Sequence, residues 1–229
     1  MTITTNKLTR AAGLSAVVAG VLFIAVQINH PHLDATFITT TEFKIRQTMK
    51  VLFAALSLAG ITAMYLRQAK KTGVLGLLGY VVFGVGLLAM MTVEVVGAVV
   101  LPSIADSAPG YVSDVLAVAT GGQAAGDIGL MLPLISVMGF GFLGGGLIFG
   151  IALYRANILA RWAAALLAGA AVATVASSQL PPINQRLFAI PTGVAMVGLG
   201  YSLWRERRIP AAASVTSPIN SRLQPAGAK

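Results

Sequence analysis

The sequence predicts an all-α, polytopic membrane bundle of six transmembrane helices with both termini on the cytoplasmic side, and three observations predict it. Of 229 residues, 56% are hydrophobic and only 10% are charged, too little polar material to cover a water-soluble surface. Apolar runs of about 20 residues, the length a hydrocarbon core of about 30 Å requires of a helix, recur with short polar interruptions. The basic residues, which give a net charge of +9, gather at the ends of those runs. That placement sets orientation in a bilayer, whereas a soluble protein of this charge would suggest nucleic acid.

The first run, Ala11 to Ile28, follows Lys7 and Arg10. It is long for a secretory signal and lacks a small-x-small cleavage site before Asn29, so it reads as a retained helix. The later spans run from Gln47 to Leu66, Val74 to Leu101, Ile128 to Leu153, Leu159 to Ser177 and Leu187 to Trp204. An inside N-terminus places twelve of the sixteen basic residues on the cytoplasmic side and leaves Lys44, Arg46, Lys50 and Arg186 outside, the bias expected of a multi-pass protein of the cytoplasmic (inner) membrane. Residues 1–208 form one transmembrane domain, and residues 209–229, rich in alanine, serine and proline, read as a disordered tail.

Short inner connections make the helices they join antiparallel neighbours, while the outer face carries two longer segments, Asn29 to Arg46 and Pro102 to Asp127. Within the second, Tyr111 to Val118 forms a short helix on the surface or dipping inward, bracketed by Pro109-Gly110 and Gly121-Gly122. Three inward-running helices end alike, in Gly60 to Arg67, Gly150 to Arg155 and Gly200 to Arg205, each closing on an aromatic ring and an arginine. Duplicated hairpins would give this pattern, and so would the ordinary preference for rings and cations at an inner interface. Gly141 with Gly145, and Gly146 with Gly150, have the small-xxx-small spacing of close helix packing, and Pro133 is expected to kink the same span.

Six of the seven carboxylates, Asp34, Glu42, Asp106, Asp114, Asp127 and Glu206, fall in loops, near interfaces or in the tail. Glu94 lies inside the third span, about 10 Å along the helix from its outer end at about 1.5 Å per residue. A charge near a bilayer centre costs roughly 2.5 to 3.5 kcal/mol on insertion scales, so Glu94 is expected to be protonated or to face a partner in the bundle interior. A structural hydrogen bond and a functional role both answer to that. Asp127, following Gly126, is placed at the start of the fourth helix, as a cap or as a second acid near Glu94. His30, His32 and Gln47 add polar groups at a similar level, without the ligand set of a zinc site. With no cysteine, thiolate chemistry and disulfides are excluded. No phosphate-binding loop, paired-histidine zinc helix, nucleophile elbow or aspartate-rich magnesium cluster occurs, so no cofactor is expected.

The motifs Asn29-His30-Pro31, Tyr65-x-Arg67, Val93-Glu94, Leu101-Pro102, Gly126-Asp127, Gly150-Ile-Ala-Leu-Tyr-Arg155, Ala160-Arg161-Trp162 and Gly200-Tyr-Ser-Leu-Trp-Arg205, spread over almost the whole chain, resemble a group of small bacterial multispan proteins. That group includes membrane-bound terpene cyclases acting on prenylated indole compounds of the drimentine type. The resemblance implies cyclisation of a lipophilic substrate started by protonating an isoprenoid double bond, with Glu94 and Asp127 at the positions of the two membrane acids. A carboxyl kept neutral by apolar surroundings can deliver a proton, and a second carboxyl bonded to it can orient and sharpen it. Phe23, Tyr80, Phe83, Tyr111, Phe140 and Phe142 are the candidate rings to steady a carbocation, with His30, Gln47 and Met91 completing the candidate substrate contacts. Phe83 precedes Glu94 by three turns and shares its helix face. The rival expectations are a small carrier or channel that uses Glu94 for a proton or cation, and a non-enzymatic membrane scaffold acting through its outer loops.

Overall fold

The computed structural model describes residues 4–28, 33, 34, 36–176 and 189–205. Among them every regular element is helical. Helix α1 spans Thr5–Gln27, with the Thr4 hydroxyl accepting from the Lys7 N–H at its start. A single 3-10 turn, Phe37–Thr39, leads into α2, Thr41–Val95, which begins on a Thr40 cap. A π turn at Val96–Val100 and the short α3, Leu101–Ile104, extend it. There follow α4 (Pro109–Ala119), α5 (Met131–Ala156), α6 (Arg161–Ala176) and α7 (Ile190–Arg205).

Although α2 is continuous by hydrogen bonding, it is two helices. At Gly73 the backbone takes φ 56° and ψ −148°, a region essentially restricted to glycine, and the chain reverses. Residues 41–72 and 74–95 then lie antiparallel. Lys50 meets Glu94, Leu58 lies beside Gly84, and Tyr65 stacks on Tyr80, all mirrored about the turn. This is the hairpin of the second and third helices that the sequence predicts; the first arm reaches past its expected limits at both ends, and the second starts at the expected Val74 and is carried on past Leu101 only by the π turn and α3.

The six rods close into a ring. Along it α1 packs on the first arm of α2, the second arm on α5, α5 on α6, α6 on α7, and α7 back on α1. Glycine permits the closest of these approaches. Gly86 and Gly141 lie backbone to backbone, Gly145 sits on Phe83, Gly150 on Ala164 and Ala168, and Gly13 on Gly200. Lipid tails give helices no hydrophobic reason to associate, so small residues that let backbones touch are the main source of cohesion. Of the four glycines singled out on α5, Gly146 alone makes only ordinary contacts.

Three helices are long and apolar enough to cross a membrane: Thr5–Gln27, the stretch Thr41–Ile104 that contains the hairpin, and Met131–Ala156. Large apolar side chains such as Val21, Leu66, Val81, Phe140 and Val175 are exposed around the ring, a surface that suits lipid and not water. Inside, one buried cluster joins Phe53, Ile61, Met64, Phe83, Leu87, Phe149, Leu167 and Leu199. A second, toward the far end, joins Ile38, Phe43, Val93, Leu101, Val112, Val115, Met131 and Ile135. It is how α4, expected from Tyr111 to Val118, lies down over the ends of α2 and α5.

The three repeated motifs lie at the opposite end. Arg161 stands 4.3 Å from the Tyr154 ring centre and Arg10 stands 5.3 Å from that of Trp204, while the glycine of each motif is buried against a neighbouring helix. Two of the three motif rings thus stand beside a cation drawn from outside the motif, and all three glycines serve close packing.

Two local expectations are corrected. Helix α5 begins at Met131 and not at Asp127, because Asp127 turns back to accept the Gly129 N–H at 2.7 Å. Pro133 consequently falls in the first helical turn, where its missing donor would have had no partner, and no kink follows from it. The irregularity sits instead before Pro102, which cannot donate into the ladder, and the preceding residues Val96–Val100 widen into the π turn.

Candidate functional site

One buried carboxylate occurs among the described residues. Glu94 is 8% exposed, at the last turn before the π segment on the second arm of α2. The hairpin register brings Lys50 opposite it, with the ammonium 3.3 Å from Glu94 Oε2. Lys50 also donates to Gln47 Oε1 at 2.9 Å. Gln47 is itself buried, and its amide nitrogen lies where a side chain on residue 97 would be, so Gly97 makes room for it. The three side chains form a charge-bearing unit between the two arms, fixed on one side by the π turn and roofed by the cluster around Val93 and Leu101.

Toward the ring's interior the unit gives way to aromatic packing. Phe53, one turn beyond Lys50, stacks on Phe23 with centroids 4.5 Å apart. Phe142 of α5 reaches both, at 5.8 and 6.0 Å, and touches Phe83 edge-on at 5.4 Å. Met90 and Met91 pack against the same cluster. Phe23 and Phe142 come from rods that are not neighbours in the ring, so these phenyl groups fill its centre.

The candidate residues from the sequence therefore separate. Glu94, Gln47, Phe23, Phe83 and Met91 belong to this interior. Asp127 does not: it is exposed, its hydrogen bond goes to Gly129, and it makes no contact with Glu94. The expected pair of acids is not formed, because the loop before α5 is pinned outward by Asp114, whose carboxylate accepts the Ala125 and Gly126 N–H groups at 2.9 Å each. Phe140 is also outside, 81% exposed on the lipid-facing side of α5, since the inward face of that helix is taken by Gly141 and Gly145. Tyr80 lies three to four turns from Glu94, stacked on Tyr65 and hydrogen-bonded to Thr62 at 3.1 Å. Tyr111 packs into the cap around α4. His30 and His32 lie outside the described residues.

By its charge Lys50 counts with the outer-side cations, although it stands three residues inside the second expected span. The signal that places it inside was available: reflecting Glu94 through the turn at Lys70-Lys71-Thr72-Gly73 lands on Lys50, with Gln47 one turn away on the same face. Of the rings that complete the aromatic centre, Phe142 is among the candidates the sequence offers, whereas Phe53 is not, because nothing local distinguishes it from a packing residue until α1 and α5 are placed against it.

Searches against protein-family models, curated proteins and solved structures return no match.

Proposed function

We propose that this chain crosses the cytoplasmic membrane six times with both termini inside, and that it is a metal-independent membrane enzyme that cyclises a lipophilic prenylated substrate by protonating an alkene. The observation that carries the reading is the Lys50–Glu94 pair, its carboxylate buried and its ammonium partly buried, one helical turn from Phe53 of the phenyl cluster that also holds Phe23, Phe83 and Phe142. The resemblance in the sequence motifs supports the same reaction class. Antiparallel packing of six rods, with Lys70, Lys71, Arg155, Arg161 and Arg205 at one end, supports the topology.

In this reading the Lys50–Glu94 pair is the proton store. Charge separation is costly where water is absent, so a lipophilic substrate that displaces water from beside the pair favours passage of the proton from the ammonium to the carboxylate. Glu94 then gives that proton to a terminal alkene, whose π electrons form the new C–H bond and leave a carbocation. A second alkene attacks the cation and closes the ring. Loss of a neighbouring proton to the Glu94 carboxylate leaves a new double bond and a neutral acid, and return of that proton to the Lys50 amine restores the pair, so the net change is an isomerisation. Aromatic faces steady the cation by up to about 2 kcal/mol each in a desolvated site. Asp127 has no part in the step.

Purified protein in lipid nanodiscs, given farnesylated indole in heavy water, is expected to release a cyclised product carrying one deuterium. Glu94→Gln should lower turnover at least about a hundredfold, the usual worth of a general acid, with helix content unchanged; undiminished turnover in that variant removes Glu94 as the acid. One observation favours a second reading. Because Glu94 already holds a cation, a solute cation or proton could exchange with Lys50 in a carrier cycle. Glu94-dependent solute uptake by sealed vesicles, with no cyclised product, would support the carrier. Loss of neither activity in Glu94→Gln, with loss of function on replacing residues 102–127, would support the scaffold.

A further inference from the structure

The outward flank of α5 carries an amphipathic cleft that the proposed chemistry does not use. Its rim is a hollow of about 290 Å³ walled by Val118, Gly122, Gln123, Asp127 and Leu132. Leu132 also walls an apolar groove of about 660 Å³ between α2 and α5, with Val81, Val85, Ser136, Val137 and Phe140. Ser136 and Phe140 in turn border a second groove of about 660 Å³ running between α5 and α6 past Leu143, Leu147, Val172 and Val175. Phe140 is the ridge that parts the two grooves. Gly139 and Gly144 keep the neighbouring surface of α5 low, with nothing within 4 Å of where their side chains would be.

The chemistry of the rim selects the occupant. Asp127 Oδ1 is engaged by the Gly129 N–H; among the described residues its second oxygen has no partner, and no lysine, arginine or histidine stands in the walls of the hollow. A phosphate or carboxylate head would meet the Asp127 charge with nothing to offset it, whereas an ammonium gains a charge-assisted hydrogen bond. The grooves beneath are almost wholly apolar and fall within the roughly 300 to 1,000 Å³ range of small-molecule sites. We propose that this cleft binds a cationic amphiphile, with its amine against Asp127 and its apolar tail laid along α5 beside Phe140. The site shares no wall with Lys50 or Glu94 and stands independently of the cyclisation reading.

The test is equilibrium binding of tetradecylamine to the protein in nanodiscs, with tetradecanol and tetradecyl phosphate as matched probes. The amine is expected to bind on the order of tenfold more tightly than either control. Asp127→Asn, whose amide oxygen keeps the Gly129 turn, should bring the amine to the level of the alcohol. Ser136→Leu, which fills the junction of the two grooves, should weaken both the amine and the alcohol. Glu94→Gln should leave amine binding unchanged while it abolishes turnover, which separates this site from the catalytic proposal. Amine binding no tighter than that of the alcohol, or unaltered in Asp127→Asn, overturns the site.

Discussion

Lys50 and Glu94 show how one residue's surroundings depend on another far away in sequence. Each alone would be an unpaired charge among apolar side chains; together, with Gln47 accepting from the ammonium, they are tolerated at the end of the interior. Removing one partner of a buried ion pair typically costs about 3 to 5 kcal/mol, whereas replacing both with apolar groups is often neutral. Lys50→Met is therefore expected to destabilise the folded protein in detergent by about 3 kcal/mol, and Lys50→Met with Glu94→Leu to recover most of that loss. Denaturant titration of the single and double variants measures it. A double variant as unstable as the single one would show that the pair contributes specific geometry beyond charge neutralisation. Glu94 stood out in the sequence as an acid within an apolar run; Lys50 did not, because a cation three residues from the start of a span looks interfacial until the hairpin register is known.

At the level of the helix, the turn at Gly73 and the contact of Gly86 with Gly141 make opposite demands on glycine. At Gly73 the space around the missing side chain is empty, so the constraint is in the backbone alone. Gly73→Ala should cost about 1 to 3 kcal/mol through the positive φ, with no loss of contact. At Gly86 the constraint is steric, since a side chain there would run into the backbone of Gly141 and Phe142. Gly86→Ala should force α2 and α5 apart at about 1 to 3 kcal/mol, while Gly139→Ala, on open surface, should be close to neutral. Thermal unfolding of the three variants distinguishes the mechanisms; equal effects at Gly86 and Gly139 would contradict the packing argument. Small-residue spacing pointed to α5 as a packing helix, yet it could not say that Gly86 was the partner. Nor did the composition around Pro133 reveal that the helix starts too late for that proline to bend it.

For the whole molecule, the closed ring makes orientation testable in a direct way. The chain has no cysteine, so single cysteines report position without background. In intact cells, a membrane-impermeant maleimide should label Asp106→Cys and Ser113→Cys on the outer face and leave Lys71→Cys unlabelled until the membrane is opened. Labelling of Lys71→Cys in sealed cells would reverse the topology and place the Asp127 cleft in the cytoplasmic leaflet.

Local chemistry in the sequence was enough for an all-helical chain with helices apolar enough to cross a membrane, the approximate helix limits, the short α4 and the isolation of Glu94, because hydropathy, charge placement and turn residues act over a few neighbouring positions. Tertiary structure alone decided which polar groups meet. Pairing Glu94 with Lys50 and turning Asp127 outward depend on hairpin register, on the Asp114 hydrogen bonds that hold the loop, and on ring closure between α7 and α1. Each joins positions separated by many residues, and no local preference specifies which distant side chain will complete the contact.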